Sequence, residues 1–174
     1  MSVVEHALAE LDSSRRRFHS ELEGLNDADF VRPPTAGSWS ASQVAEHIAL
    51  SEKAMSVGYA ATLAGRPGAT SHPLDPLRKL LWTFQIYRLA RVKTTQRLDP
   101  PAALPRAEAL ARLAAARESL LASLGTEPAR LETIRLRHPV FGALTGVEML
   151  RFASLHEERH RNQIVRIRTA LARR

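Results

Sequence analysis

The five residues His156-Glu157-Glu158-Arg159-His160 hold two imidazoles four positions apart. A helix rises about 1.5 Å per residue, so such a pair lies one turn apart on one face and can clasp a single ion. A third imidazole, His47, sits far upstream in a separate apolar-periodic segment. Neutral imidazoles suit zinc, nickel or another borderline divalent ion, and three protein ligands leave one position open for water or substrate. Structural zinc normally takes four protein ligands, so an open triad is a design for chemistry: a Lewis acid there makes a nucleophile at neutral pH from bound water or thiol. A buried histidine pair can also be a hydrogen-bonded core feature, because unpaired polar groups are costly inside. The third histidine on another helix favours the metal reading. Glu157, one residue past a ligand, is placed to act as a general base or to orient groups beside the metal. His6, His19 and His72 lie off the apolar stripes or in a Pro-containing loop, and read as solvated side chains.

His156-Glu157-x-x-His160 also satisfies the His-Glu-x-x-His pattern of zinc peptidases, where the glutamate is the base. Those sites accompany a sheet edge that binds the peptide and a further downstream ligand. No convincing strand pattern is present, and no His, Asp or Glu follows His160. The peptidase reading is therefore the weaker one.

The elements that must carry these residues are helices. Val4, Leu8, Leu11, Phe18, Leu22 and Leu25 recur at helical spacing, predicting a first helix over 3–23, with Arg15-Arg16-Arg17 mostly on its solvated side. A loop follows over 26–38, where Pro33, Pro34 and Gly37 fall. Ser40 with Gln43 reads as a capping box, with Trp39 and Val44 as the hydrophobic staple of a second helix that ends by Gly65. Val44, His47, Ile48, Ser51, Met55 and Gly58 share its inner face. Residues 66–105 are the least regular; Asp75-Pro76 can start an extra helix reaching about residue 91, before Pro100, Pro101 and Pro105 break the chain. A connection of that length can cross the whole bundle, so the second and third core helices are free to run parallel. The third core helix is expected over 106–124, with Leu110, Leu113, Arg117, Leu120 and Leu124 inward. Residues 127–143 read as a loop that delivers His138, Val140 and Phe141 near the last helix. Thr145 with Glu148 caps that helix, with Leu144 and Met149 as staple, and no Pro or Gly follows Gly146. Met149, Ala153, His156, His160, Gln163, Ile167 and Ala170 form its inner stripe. The expected fold is all-α: one domain over 1–174, a four-helix bundle with a long connection between core helices 2 and 3.

At 174 residues the chain can bury a real core. It has no cysteine, which excludes disulfides, thiolate nucleophiles of its own and sulfur-ligated zinc. No apolar run approaches the ~20 residues of a membrane span, and no leader pattern is seen, so a cytoplasmic protein without membrane association is expected. The net charge of +7 comes almost wholly from arginine. Arginines spread over all helices argue against a focused nucleic-acid face, although Arg159, Arg161, Arg166, Arg168, Arg173 and Arg174 cluster on the last one. Glu157 and Glu158 dilute that cluster, and nucleic acid is not expected as a partner.

Trp39-Ser40-x-x-Gln43-Val44-x-x-His47-Ile48, then His138-Pro139-x-x-Gly142-x-Leu144-Thr145-x-x-Glu148, then His156-Glu157-x-x-His160-Arg161-x-Gln163-Ile164, resembles the DinB/YfiT-like superfamily. The resemblance covers most of the chain and is weakest over 66–105. Residue 162 is Asn where glycine is common in such proteins. The resemblance implies a four-helix bundle holding a divalent metal, zinc or nickel, on His47, His156 and His160. Its relatives include mycothiol-dependent maleylpyruvate isomerase and bacillithiol-dependent thiol transferases. By that likeness the function is metal-dependent S-transfer, with a low-molecular-weight thiol as cofactor and a small electrophile as partner. A metal-dependent hydrolase and a non-catalytic metal-binding, stress-associated protein are the alternatives. The oligomeric state is left open, with a homodimer allowed.

Overall fold

The computed structural model describes residues 1–77, 80, 98–100 and 102–173. Four long helices form the body. These are α1 (Val3–Glu23), α3 (Ala41–Leu63), α4 (Arg106–Ala122) and α6 (Gly146–Ala172). Three of them begin with complete capping boxes, at Ser2 and Glu5, Ser40 and Gln43, and Thr145 and Glu148. In each, the hydroxyl accepts the third-position N–H while the carboxylate or amide oxygen accepts the cap's own N–H, so two otherwise orphaned donors are satisfied. The staple residues Leu144 and Met149 are buried in one apolar cluster, and Trp39 packs on the cluster that holds Val44.

The direction of each helix follows from its rungs. Between α1 and α6, Glu10 meets Arg151, Ser14 meets Glu157, Arg17 meets Glu158 and Glu21 meets Arg168, so the pair is parallel. Between α3 and α4, Glu46 meets Arg112, Glu52 meets Arg117 and Ser56 meets Ser119, again parallel. The long connection over 66–105 allows this arrangement, as expected. Helix α3 runs against α6, with His47 beside His156 and Tyr59 donating to the Gly146 carbonyl. The expected extra helix falls largely outside the described residues, of which 75–77 and 80 are helical.

Two apolar clusters fill the bundle. One gathers Leu11, Tyr59, Leu120, Leu144 and Leu150; the other gathers Phe18, Phe30, Val44, Leu113 and Ile164. On all four helices the residues between these clusters are polar: Ser14 and Arg15, Ser51 and Glu52, Arg117, and Glu157 with His160. A polar layer therefore crosses the middle of the core.

Three segments depart from the sequence reading. Within 26–38 a short helix α2 (Asp27–Val31) forms, started by Asn26, whose side chain accepts the Asp29 N–H at 2.8 Å, and fixed by fully buried Phe30. Within 127–143 the chain makes α5 (Arg130–Thr133) and an antiparallel hairpin of β1 (Arg135–His138) with β2 (Gly142–Thr145). Strands of four residues are too short to announce themselves by alternation; here the facing Leu136 and Leu144 are buried, and Gly142 takes φ 75° at the turn, a conformation that suits glycine. Asp75 braces this turn by accepting N–H groups from His72 at 2.8 Å and Ala143 at 3.4 Å. Arg15, read as solvated, is buried, because its guanidinium is drawn to two carboxylates in the polar layer.

Candidate metal centre

His47 stands on the second turn of α3, close behind the Ser40 capping box, and His156 and His160 stand one turn apart on α6. Because α3 and α6 run antiparallel through the middle layer, the three rings meet. His156 Nε2 lies 3.2 Å from His47 Nε2 and 3.2 Å from His160 Nε2, and the ligand atoms of all three lie within 4.8 Å of one another. Tetrahedral nitrogens around an ion at the usual zinc distance stand about 3.4 Å apart. Two of the three spacings match that closely.

Hydrogen bonds behind two of the rings fix their tautomers. His47 Nδ1 donates to the Leu98 carbonyl at 2.8 Å, which leaves Nε2 with a lone pair. His160 Nδ1 donates to Gln163 Oε1 at 2.8 Å, with the same consequence. Both lone pairs point at His156 Nε2. A single proton there bridges one pair and leaves the other repulsive, whereas a divalent cation satisfies all three nitrogens. Burial also keeps the rings neutral: desolvation lowers His47, lowers His156 well below its ordinary value with further push from His160 and His47, and takes His160 to about 3. Neutral imidazole with a donor on the far nitrogen is the form in which histidine binds metal. Among the described residues these three make the one group of histidines and carboxylates with metal-ligand spacing.

Glu157, expected beside the metal as a base or an orienting group, meets a different environment. Its carboxylate is fully buried and takes contacts from Ser14 Oγ at 2.6 Å, Arg15 Nε at 2.5 Å and Arg117 Nη2 at 3.3 Å. Arg15 and Arg117 also grip Glu52, at 2.8 and 2.6 Å. Burial pushes the Glu157 carboxyl upward against the pull of Arg15 and Arg117. Those contacts come from α1 and α4, whereas His156 and His160 meet His47 of α3. His6 pairs with Glu10 on the surface and His72 is exposed, while His19 is half-buried and its pKa is lowered chiefly by desolvation, so the solvated reading holds for two of the three.

An aromatic lane leads away from the histidines. Phe152 stacks on His156 at 5.3 Å and 18°; His138 meets Phe152 edge-on at 4.4 Å and stacks on Phe141 at 4.6 Å. The sequence brings His138 to this end of α6 but gives it no role. The signal for one is the turn His138-Pro139-Val140-Phe141-Gly142, in which a histidine ring replaces the usual Asx acceptor.

No curated protein matches the chain significantly. Solved structures share its fold, among them the following three. TT2238, described as a four-helix bundle protein, is 26% identical with a TM-score of 0.61, covering 94% of this chain and 98% of its own. YfiT from Bacillus subtilis, described as a probable metal-dependent hydrolase with an unusual four-helix bundle topology, is 17% identical with a TM-score of 0.59, covering 97% and 87%. A conserved protein from Enterococcus faecalis is 18% identical with a TM-score of 0.62, covering 100% and 99%. Residues 10–164 match the DinB superfamily, and the chain belongs to it.

Proposed function

We propose that this protein is a cytoplasmic divalent-metal enzyme, with zinc or nickel held by His47, His156 and His160, that transfers a low-molecular-weight thiol of the bacillithiol or mycothiol type to a small electrophile. The observation that carries the reading is the convergence of three Nε2 lone pairs, each at 3.2 Å from a neighbour, with the far nitrogens of His47 and His160 already committed as donors. When bound, the ion supplies Lewis acidity at an open position, which lowers the pKa of a thiol or water placed there. In the transfer, the thiol sulfur forms the bond to carbon, its proton leaves to solvent, and the leaving group departs with its electron pair or the adduct takes up a proton.

Two features favour a thiol over water as nucleophile. The carboxylate nearest in sequence, Glu157, is occupied by Arg15, Arg117 and Ser14, so it is not a free base for deprotonating water. A thiol, with a pKa near 8.5, needs far less help to ionise than water does. The chain has no cysteine, so the sulfur comes from a cofactor. Hydrolysis is the second reading, favoured by the description of the YfiT structure as a probable metal-dependent hydrolase. Nucleic acid is not expected as a partner in either reading: two of the arginines on the basic last helix, Arg161 and Arg168, are paired with Glu21 and Glu158.

The test is metal analysis of the purified protein joined to turnover of a generic electrophile with bacillithiol, mycothiol or glutathione present and absent. Thiol conjugation that requires both metal and thiol is expected. Metal-dependent turnover without any thiol overturns the transferase reading in favour of hydrolysis.

A further inference from the structure

We propose that His138 is a substrate-binding residue whose Nε2–H holds an oxygen acceptor, carbonyl or carboxylate, of a molecule whose reacting end sits at the three-imidazole centre. The proposal rests on the metal reading above and adds to it the shape of the substrate: a reacting sulfur or electrophilic carbon at one end, an oxygen at the other, and a flat or apolar stretch between.

The first observation is the tautomer. The backbone N–H groups of Val140 and Phe141 both point at His138 Nδ1, at 3.1 and 3.2 Å. A nitrogen that accepts cannot carry the ring hydrogen, so the hydrogen is on Nε2. The same two donors oppose a second proton on Nδ1, and burial lowers the pKa to about 4, so the ring is neutral at physiological pH. His138 is thus locked as a neutral donor through Nε2.

The second observation is that this donor is unused. Among the described residues nothing accepts from Nε2, although the ring is largely buried between Phe141 and Phe152. A locked donor from which no described residue accepts is free to hold an oxygen of a ligand. The third is position. Phe152 sits one turn before His156 on α6 and stacks on it, and His138 meets Phe152 edge-on, two ring steps of 5.3 and 4.4 Å from the candidate ligand. An aromatic wall of that length suits a substrate of a few heavy atoms between its two polar ends.

A purely structural role for His138 makes a different prediction. If the ring served only to close the turn by accepting N–H groups, asparagine would replace it, since its side-chain oxygen accepts from the N–H two residues on. His138→Asn therefore keeps the turn and deletes the Nε2 donor, while His138→Phe keeps the aromatic stack and deletes both.

The experiment loads wild type and both variants with Co(II) and titrates them with thiophenol, meta-mercaptobenzoate and para-mercaptobenzoate, reading the cobalt–sulfur absorption band. In wild type at least one mercaptobenzoate is expected to bind roughly tenfold more tightly than thiophenol, the scale of a hydrogen bond to a charged acceptor. In His138→Asn and His138→Phe that preference is expected to vanish with thiophenol affinity unchanged. Because the general attraction of a basic protein for an anion is the same in wild type and His138→Asn, it does not mimic this result. Preference retained in both variants, or absent in wild type, overturns the proposal and leaves the metal centre standing. Failure of wild type to take up cobalt, or to show a sulfur band with any of the three thiols, removes the reading beneath and the proposal with it.

Discussion

Two imidazoles of the centre, His47 and His160, are held from behind, and the holding group decides how well the ring serves. Gln163 accepts from His160 Nδ1 at 2.8 Å and the Leu98 carbonyl accepts from His47 Nδ1 at 2.8 Å. Removing such a partner frees the ring to turn and to change tautomer, which commonly costs ten- to a hundredfold in metal affinity, on the order of 1–3 kcal/mol. Gln163→Ala is accordingly expected to weaken metal binding by roughly tenfold, measured by competition with a chromophoric chelator, with unchanged helicity by circular dichroism. His160→Ala deletes the ligand itself, so tight binding should disappear while the fold stays; full metal stoichiometry in that variant would point to other ligands. The pH dependence belongs to the same scale. Burial lowers the His138 pKa from 6.5 to about 4, so between those values the unfolded chain binds a proton that the folded one refuses. The stabilisation from a neutral His138 is present in full above pH 6.5 and is lost as pH falls towards about 4. His138→Phe should flatten the fall in urea midpoint across that window, compared with wild type free of metal. An identical slope in both proteins would assign the loss to other groups.

The long helices were legible because their start signals are chemical. Ser40 with Gln43 and Thr145 with Glu148 mark the first turns of α3 and α6, and the structure makes both capping boxes. Of the stripe Met149, Ala153, His156, His160, Gln163, Ile167 and Ala170, Met149, Ala153, His160 and Ile167 are buried and the other three partly so, and His47 is inward on α3. Elements held by tertiary contact were not legible. The β1–β2 hairpin has four residues per strand, and its register depends on Leu136 facing Leu144 and on Asp75 arriving from outside the hairpin. Arg15 was unreadable for the same reason: its neighbours in sequence are exposed arginines, and the carboxylates that bury it come from α3 and α6. The cap that starts α3 also sets where His47 points, which makes it testable as an element. Ser40→Ala removes the oxygen that accepts the Gln43 N–H, so a loss of about 1 kcal/mol is expected, read as a lower urea midpoint at constant slope. Metal stoichiometry should be retained, because α3 is still packed along its length. Loss of metal without loss of stability would mean that the cap acts on the site alone.

Taken as a whole, the bundle places its candidate centre and its buried ion cluster in the same middle layer, on neighbouring faces of α6 about 100° apart between His156 and Glu157. His156 and His160 turn towards α3, while Glu157 turns towards Arg15 on α1 and Arg117 on α4. Arg15, Arg117, Glu52 and Glu157 bring two positive and two negative charges together, so the cluster is neutral only when complete. It fastens all four long helices at one level, between two apolar clusters that would otherwise have little to fix their register. Replacing Glu157 by glutamine leaves two buried guanidinium groups against one carboxylate. Breaking a buried pair in this way typically costs roughly 3–5 kcal/mol, because the remaining charge has lost its compensation. Glu157→Gln is therefore expected to lower the urea midpoint strongly. Arg15→Met combined with Glu157→Leu removes one charge of each sign, leaves the Arg117–Glu52 pair intact, and should cost less than the sum of the two single changes, a coupling of about 1–3 kcal/mol in a double-mutant cycle. Metal affinity of the folded fraction should change little in either variant, since the imidazoles and their hydrogen-bond partners are untouched. A base at the metal centre would behave in the opposite way, with Glu157→Gln as stable as wild type and its turnover abolished, and that pair of results would return Glu157 to the chemistry of the site.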